Sequence, residues 1–149
     1  MKKLITAFKG VKNPSFQLAS QLPGEKLFLT NSFAGLEKEI NAVLQSYDAV
    51  YMLGVSPALR REIRIETCAC CGETKVSTEL DISSFLELAN SYGIAYHLSD
   101  TPTQYLCNAA YYRMLGKNRN TVFVHIPSPK GMDTTFLQQL CMLFSKLLG

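Results

Sequence analysis

The sequence lacks any apolar run near the ~18 residues that a membrane-spanning helix needs, so no membrane partner is expected. It lacks a stretch in which Lys and Arg interleave with aromatics, and its formal charge is only +3, so nucleic acid is not expected as a partner either. The nearest basic cluster, Arg60-Arg61 with Arg64, reads as a solvated turn and strand face. Internal repeats, low-complexity segments and a second-domain boundary are missing too. The five cysteines are an odd count, with three crowded at positions 68, 70 and 71. That pattern does not suit a secreted disulfide framework, and a cytoplasmic location is expected. The start, Met1 to Phe8, lacks the long apolar region and small-residue cleavage site of a signal peptide and reads as a buried strand. Histidine occurs twice only, at His97 and His125.

What is present is an ordinary globular balance: 149 residues, 47% apolar and 18% charged. That is enough for one domain, residues 1–149, with a real core. Strand-like and helix-like stretches alternate. Lys3 to Phe8 reads as a strand. Asn13 as N-cap and Pro14 at the first helical position open a helix that Pro23-Gly24 stops after Leu22. Lys26 to Thr30 is a second strand. Gly35 to Ser46 is predicted helical, with Leu36, Ile40, Val43 and Leu44 on one face. Ala49 to Leu53 is a strand closed by a turn at Gly54-Val55-Ser56-Pro57. Ile63 to about Cys70 alternates as a strand, and a polar turn region begins at Gly72. Ser83 to Tyr92 is helical, Ile94 to Leu98 a strand, Tyr105 to Leu115 a helix and Thr121 to Ile126 a strand. Thr134 to Leu148 closes the chain with a helix whose core stripe is Phe136, Leu140, Leu143, Phe144 and Leu147. Strands separated by single helices imply parallel pairing, hence an α/β three-layer sandwich: a mostly parallel twisted sheet with helices on both faces.

Sheets of that kind carry chemistry in loops beyond strand ends. Cys107 stands near a predicted helix start, where unpaired N–H groups and the helix dipole would lower a thiol pKa and could hold an oxyanion. It also fits a small buried residue, since free cysteine is commonly buried. His125 ends an apolar strand just before Ile126-Pro127, where a polar ring is costly unless paired or at the rim. His97 lies within a strand and reads as a hydrogen-bonded structural histidine. A third group usually orients an imidazole. Glu66 could do so, or could simply pair with Arg64 on the same strand face. Cys68, Cys70 and Cys71 invite a metal reading, but no second Cys or His pair at zinc spacing accompanies them, so no metal is expected. Gly54 sits in a single-glycine turn, not a phosphate loop.

Four separated segments resemble the pyroglutamyl peptidase I (pyrrolidone carboxylate peptidase) family of cysteine peptidases. Leu4 to Phe8 followed by Asn13-Pro14-Ser15 resembles its first strand and helix start. Gly54 to Pro57 through Ile63 to Ala69, with one inserted residue, resembles its glutamate motif. Ser99 to Asn108 resembles its cysteine motif, and Val122 to Pro127 its histidine motif. The resemblance implies a phosphorylase/hydrolase-like fold and removal of an N-terminal pyroglutamyl or related acyl group through a thioester. It implies Cys107 as nucleophile, His125 as base and acid, Glu66 as the orienting carboxylate, and Phe8 and Asn13 as substrate-binding residues. It also implies a blocked peptide or small acyl-amide as substrate, association of like chains, and no cofactor. The chain departs from the family in three places. The opening is reduced to Ala7-Phe8-Lys9-Gly10-Val11, so one of the two ring-flanking aromatics has no counterpart. Pro102-Thr103 replaces Ala-Gly before the cysteine. The segment after the glutamate strand is much shorter. A catalytically weak or inactive relative that binds a small ligand or protein is therefore the alternative.

Overall fold

The structure, a computed structural model, describes residues 1–102 and 105–149. Its six-stranded sheet comprises β1 (Lys3–Phe8), β2 (Glu25–Leu29), β3 (Ala49–Ser56), β4 (Glu62–Glu66), β7 (Ala95–Ser99) and β8 (Thr121–Pro127), in the order β2-β1-β3-β8-β4-β7. A separate hairpin joins β5 (Cys68–Cys71) to β6 (Thr74–Ser77). The helices are α1 (Pro14–Ser20), α2 (Phe33–Asn41), α3 (Ser83–Ser91), α4 (Leu106–Lys117) and α5 (Thr134–Leu148). The expected α/β sandwich with a mostly parallel sheet is therefore present.

Both faces of the sheet are buried, which explains why β3 and β8 are almost continuously apolar. On one face Leu53, Ile63, Ile65, Val122, Val124 and Ile126 pack with the α1, α3 and α5 residues Leu18, Phe85, Leu140 and Phe144. On the other, Met52 and Phe123 pack with Leu36, Ile40, Ala110, Tyr111 and Met114 from α2 and α4. Local signals set several helix starts. Asn13 Oδ1 accepts from Ser15 N at 2.8 Å, and Asp133 Oδ1 accepts from Phe136 N at 2.7 Å. Each satisfies a first-turn N–H that has no partner inside the helix.

Three expectations need correction. Helix α2 starts earlier, behind the N-cap Ser32, and ends at Asn41, leaving Leu44 exposed rather than on a core stripe. Gly54 lies inside β3, not in a turn, because pairing with β8 continues from Val50–Thr121 to Ser56–Pro127. The predicted 63–70 strand breaks at Thr67: β4 stays in the main sheet, while β5 leaves to form the hairpin whose second strand occupies the expected turn region. Within the mostly parallel sheet, β4 runs antiparallel to β8 and parallel to β7. No helix among the described residues is long and apolar enough to cross a membrane.

Candidate active site

Strand registers assemble the site. Across the sheet, Gly54 of β3 stands beside His125 of β8, and His125 faces Arg64 of β4. Glu66 lies opposite Phe123, two residues from the Arg64 position, so it is the diagonal neighbour of His125. Diagonal side chains on one sheet face are within reach when they are long. Glu66 Oε2 lies 3.3 Å from His125 Nδ1 and accepts from Arg64 Nε at 2.7 Å. Arg64 Nη2 is also 3.4 Å from Nδ1. Glu66 and His125 are only 5% and 6% exposed, so the pairing operates with little solvent screening. The Arg64–Glu66 pair expected on one strand face is present, with Glu66 buried, Arg64 partly buried, and the carboxylate shared with the histidine.

Gly54 makes room for the thiol. A Cβ there would come within 2.9 Å of Cys107 Sγ and 2.6 Å of Phe123 Cζ. The sulfur thus fills the row position next to His125 that a β3 side chain would occupy. Cys107 reaches it from the first turn of α4, behind Tyr105, whose side chain caps no N–H. Asn108 fixes that turn to the hairpin: its Oδ1 accepts from Cys70 N at 2.9 Å and its Nδ2 donates to Cys70 O at 2.8 Å. Tyr111, one turn further on, donates its hydroxyl to Glu66 O at 2.8 Å and so ties α4 to the end of β4. Cys107, His125 and Glu66 line one narrow cavity of about 10 Å³, together with Cys68, Tyr111 and Phe123. One water needs about that much space.

Electrostatics separates the two halves of the site. Burial alone would raise the Glu66 carboxyl, but hydrogen bonds from the cationic form of the His125 ring and from Arg64, with their charges, outweigh it and hold the pKa below its ordinary value. The Cys107 thiol goes the other way, pushed up to about 12 by burial and then by the Glu66 charge, against smaller opposing effects of Arg64 and its own backbone N–H. The helix-start N–H acts downward as expected, but burial outweighs it. A helix terminus is worth at most about 2 kcal/mol, and desolvation of a thiolate exceeds that here.

A cleft of about 480 Å³ also borders Cys107, walled by Phe8, Phe33, Val55, Tyr105 and Leu106, with Asn13 and Asn31 as its polar members. Phe8 and Asn13 therefore stand beside the thiol. Asn13 Oδ1, however, is occupied by Ser15 N and by Ser15 Oγ at 2.7 Å. His97 lies apart, half-exposed, with Nδ1 3.8 Å from Glu62. Cys68 Sγ donates to Asp100 O at 3.2 Å, and Cys71 is exposed. Among the described residues no three His, Cys, Asp or Glu side chains converge as metal ligands. Of the Pro102-Thr103 departure, Pro102 lines the narrow cavity and Thr103 lies outside the described residues. Sequence reasoning missed Gly54, Asn108 and Tyr111 as site-builders, and Phe33 and Tyr105 as cleft walls. Only Gly54 carried a signal, a glycine inside a strand marking close approach.

A thiol, an imidazole and a carboxylate thus border one cavity of a mostly parallel α/β sheet. The particular fold is that of the pyrrolidone carboxyl peptidases. The enzyme from Thermus thermophilus superposes over 99% of this chain and 100% of its own, with a TM-score of 0.80 at 19% identity. Pyrrolidone carboxyl peptidase from Thermococcus litoralis aligns over 99% of this chain and 93% of its own, with a TM-score of 0.76 at 18% identity. The corresponding enzyme from Fervidobacterium islandicum aligns over 99% and 98%, with a TM-score of 0.74 at 20% identity. No family model and no curated protein sequence matches the chain.

Proposed function

We propose that this protein is a divergent pyroglutamyl-peptidase-like cysteine hydrolase, acting on an N-terminally blocked peptide or small acyl-amide. The observation that carries this reading is the convergence of Cys107, His125 and Glu66 on one cavity beside an apolar cleft. The end-to-end likeness to pyrrolidone carboxyl peptidases supports it.

In this mechanism the acyl group occupies the Phe8–Phe33–Tyr105 cleft with its carbonyl carbon at Cys107 Sγ. The resting thiol is neutral, so attack and proton transfer are coupled. Sγ forms a bond to the carbonyl carbon as its proton passes to His125, and Glu66 stabilises the imidazolium. In this reading the unpaired first-turn N–H groups of α4 receive the oxyanion. His125 then protonates the departing amine as the C–N bond breaks, leaving a thioester. Water attacks the thioester, giving its proton to His125 and regenerating the thiol as the acid leaves. The five free thiols suit a reducing cytoplasm.

Hydrolysis of a fluorogenic pyroglutamyl amide by the wild type, lost in Cys107→Ala, is the expected result. A folded wild type that cleaves no member of a panel of acyl amides would overturn it.

The second reading, a non-catalytic binding relative, draws on the raised thiol and on Arg64 holding the carboxylate that would orient His125. Trapping with an activated acyl ester, read by mass spectrometry, separates the two. A catalytic site should carry the acyl group as a thioester on Cys107, and a binding module should not.

A further inference from the structure

The mechanism leaves one partly buried charge without a role. Arg64 projects from β4 directly opposite His125, and its guanidinium reaches both partners of the acid–base pair: Nε donates to Glu66 Oε2 at 2.7 Å, and Nη2 stands 3.4 Å from His125 Nδ1. The carboxylate oxygen that Arg64 holds is the same one that faces the ring, at 3.3 Å. The arginine contact is therefore the short, charge-assisted one, and the histidine contact lies outside the ordinary N–H···O range of about 2.7–3.2 Å.

A guanidinium has five N–H donors and no acceptor, and it does not deprotonate in proteins. The imidazole nitrogen facing it can take two forms. If Nδ1 carries the proton, two N–H groups oppose each other across 3.4 Å while competing for one carboxylate oxygen. If Nδ1 is bare, Nη2 donates to it and Glu66 keeps its strong bond to Nε. Which ring nitrogen carries the proton is set by the hydrogen bond that the other makes.

We propose that Arg64 is a positioning residue that sets the His125 tautomer, holding the ring proton on Nε2 in the resting protein. The Nε2–H form cannot take a proton from Cys107, so the site rests with its base withheld. Turnover requires Nδ1–H donating to Glu66, which happens when the guanidinium gives up the shared oxygen. This inference rests on the catalytic reading of Cys107, His125 and Glu66, but its first test does not need turnover.

The test is the two-bond nitrogen–proton correlation spectrum of histidine-labelled protein, with His97→Gln assigning the two rings. Wild type is expected to show Nε2 protonated and Nδ1 with a free-lone-pair shift. Arg64→Met is expected to reverse them, and Arg64→Lys, which keeps the charge without the fork, to give a mixture. The second readout is alkylation of Cys107 by iodoacetamide, which should accelerate by roughly tenfold or more in Arg64→Met as the base is released. Loss of a nearby cation alone would act in the opposite sense, because Arg64 lowers the thiol pKa. The direction therefore discriminates between the two. An Nδ1–H ring in wild type, or slower alkylation in both variants with the tautomer unchanged, overturns the proposal. If neither variant folds, an Nδ1–H wild-type spectrum still does so. Absence of peptidase activity with the expected tautomer reversal would count against the proposed function and leave this inference standing.

Discussion

The two faces of strands β4 and β8 share a backbone and do opposite work. Ile63, Ile65, Val122, Val124 and Ile126 turn toward α3 and α5 and bury nothing but hydrocarbon. Arg64, Glu66, Phe123 and His125 share the opposite face, where Glu66 and His125 border a space that barely admits water and Arg64 is partly exposed. Strand alternation alone separates them. The apolar face provides the burial that fixes the register, and the register decides which charged residues meet on the other. Stability and chemistry should thus respond separately to substitution, even between adjacent residues.

The largest effect is expected on the apolar side. Phe144 is fully buried and meets Phe85 edge-on at 5.8 Å and Tyr51 at 6.4 Å between ring centroids. Phe144→Ala should cost about 3–5 kcal/mol of unfolding free energy. Denaturant melts would measure this, and Cys107 alkylation under native conditions should be unchanged. A changed alkylation rate would break the separation of the faces.

Gly54→Ala is the sharper probe of the boundary between them. The added methyl meets the Phe123 ring and the Cys107 sulfur at 2.6 and 2.9 Å, so one of them must move. Overpacking of this kind costs about 1–3 kcal/mol. Displacement of the sulfur from the His125 row should also abolish most acyl-amide hydrolysis. A variant that retains wild-type hydrolysis would mean that the sulfur does not act from this position. Tyr111→Phe should be milder. It removes one donor to Glu66 O and should cost about 1 kcal/mol in denaturant melts, with a small loss of hydrolysis as β4 loosens from α4.

The apolar face was largely legible in the sequence. The α5 stripe of Phe136, Leu140, Leu143, Phe144 and Leu147 is buried as its spacing predicts. Asn13 caps α1, and Cys107 stands in the first turn of a helix. These are local features, fixed by periods of two and 3.6 or by one cap. What was illegible depends on register between distant strands. Nothing near Arg64 indicates that antiparallel pairing sets it opposite His125, 61 residues away. Gly54 looked like a turn because the strand around it is completed only by β8. The net direction of the thiol pKa is illegible for a related reason: the helix-start contribution can be read locally, whereas the burial that outweighs it comes from packing with elements distant in sequence. Leu44 was misplaced because an apolar period continued past the point where α2 ends.

The smallest effect at neutral pH concerns Glu66, and it sharpens the comparison because the apolar face has no counterpart. Its folded pKa lies below the ordinary value of 4.5, held there by His125 and Arg64 against the opposing effect of burial. In the window between the folded and unfolded values the unfolded chain binds more protons, so stability falls as pH falls. The contribution is fully present above about pH 4.5, is lost as pH drops through the folded value, and changes little near pH 7. Urea melts from pH 7 down to pH 3 should therefore show a loss that Glu66→Gln reduces, while Phe144→Ala leaves the slope of that loss unchanged and merely lowers the whole curve. Equal acid slopes in wild type and Glu66→Gln would mean that the carboxylate is not held by its two partners, and the site face would then lack the buried charge network that distinguishes it.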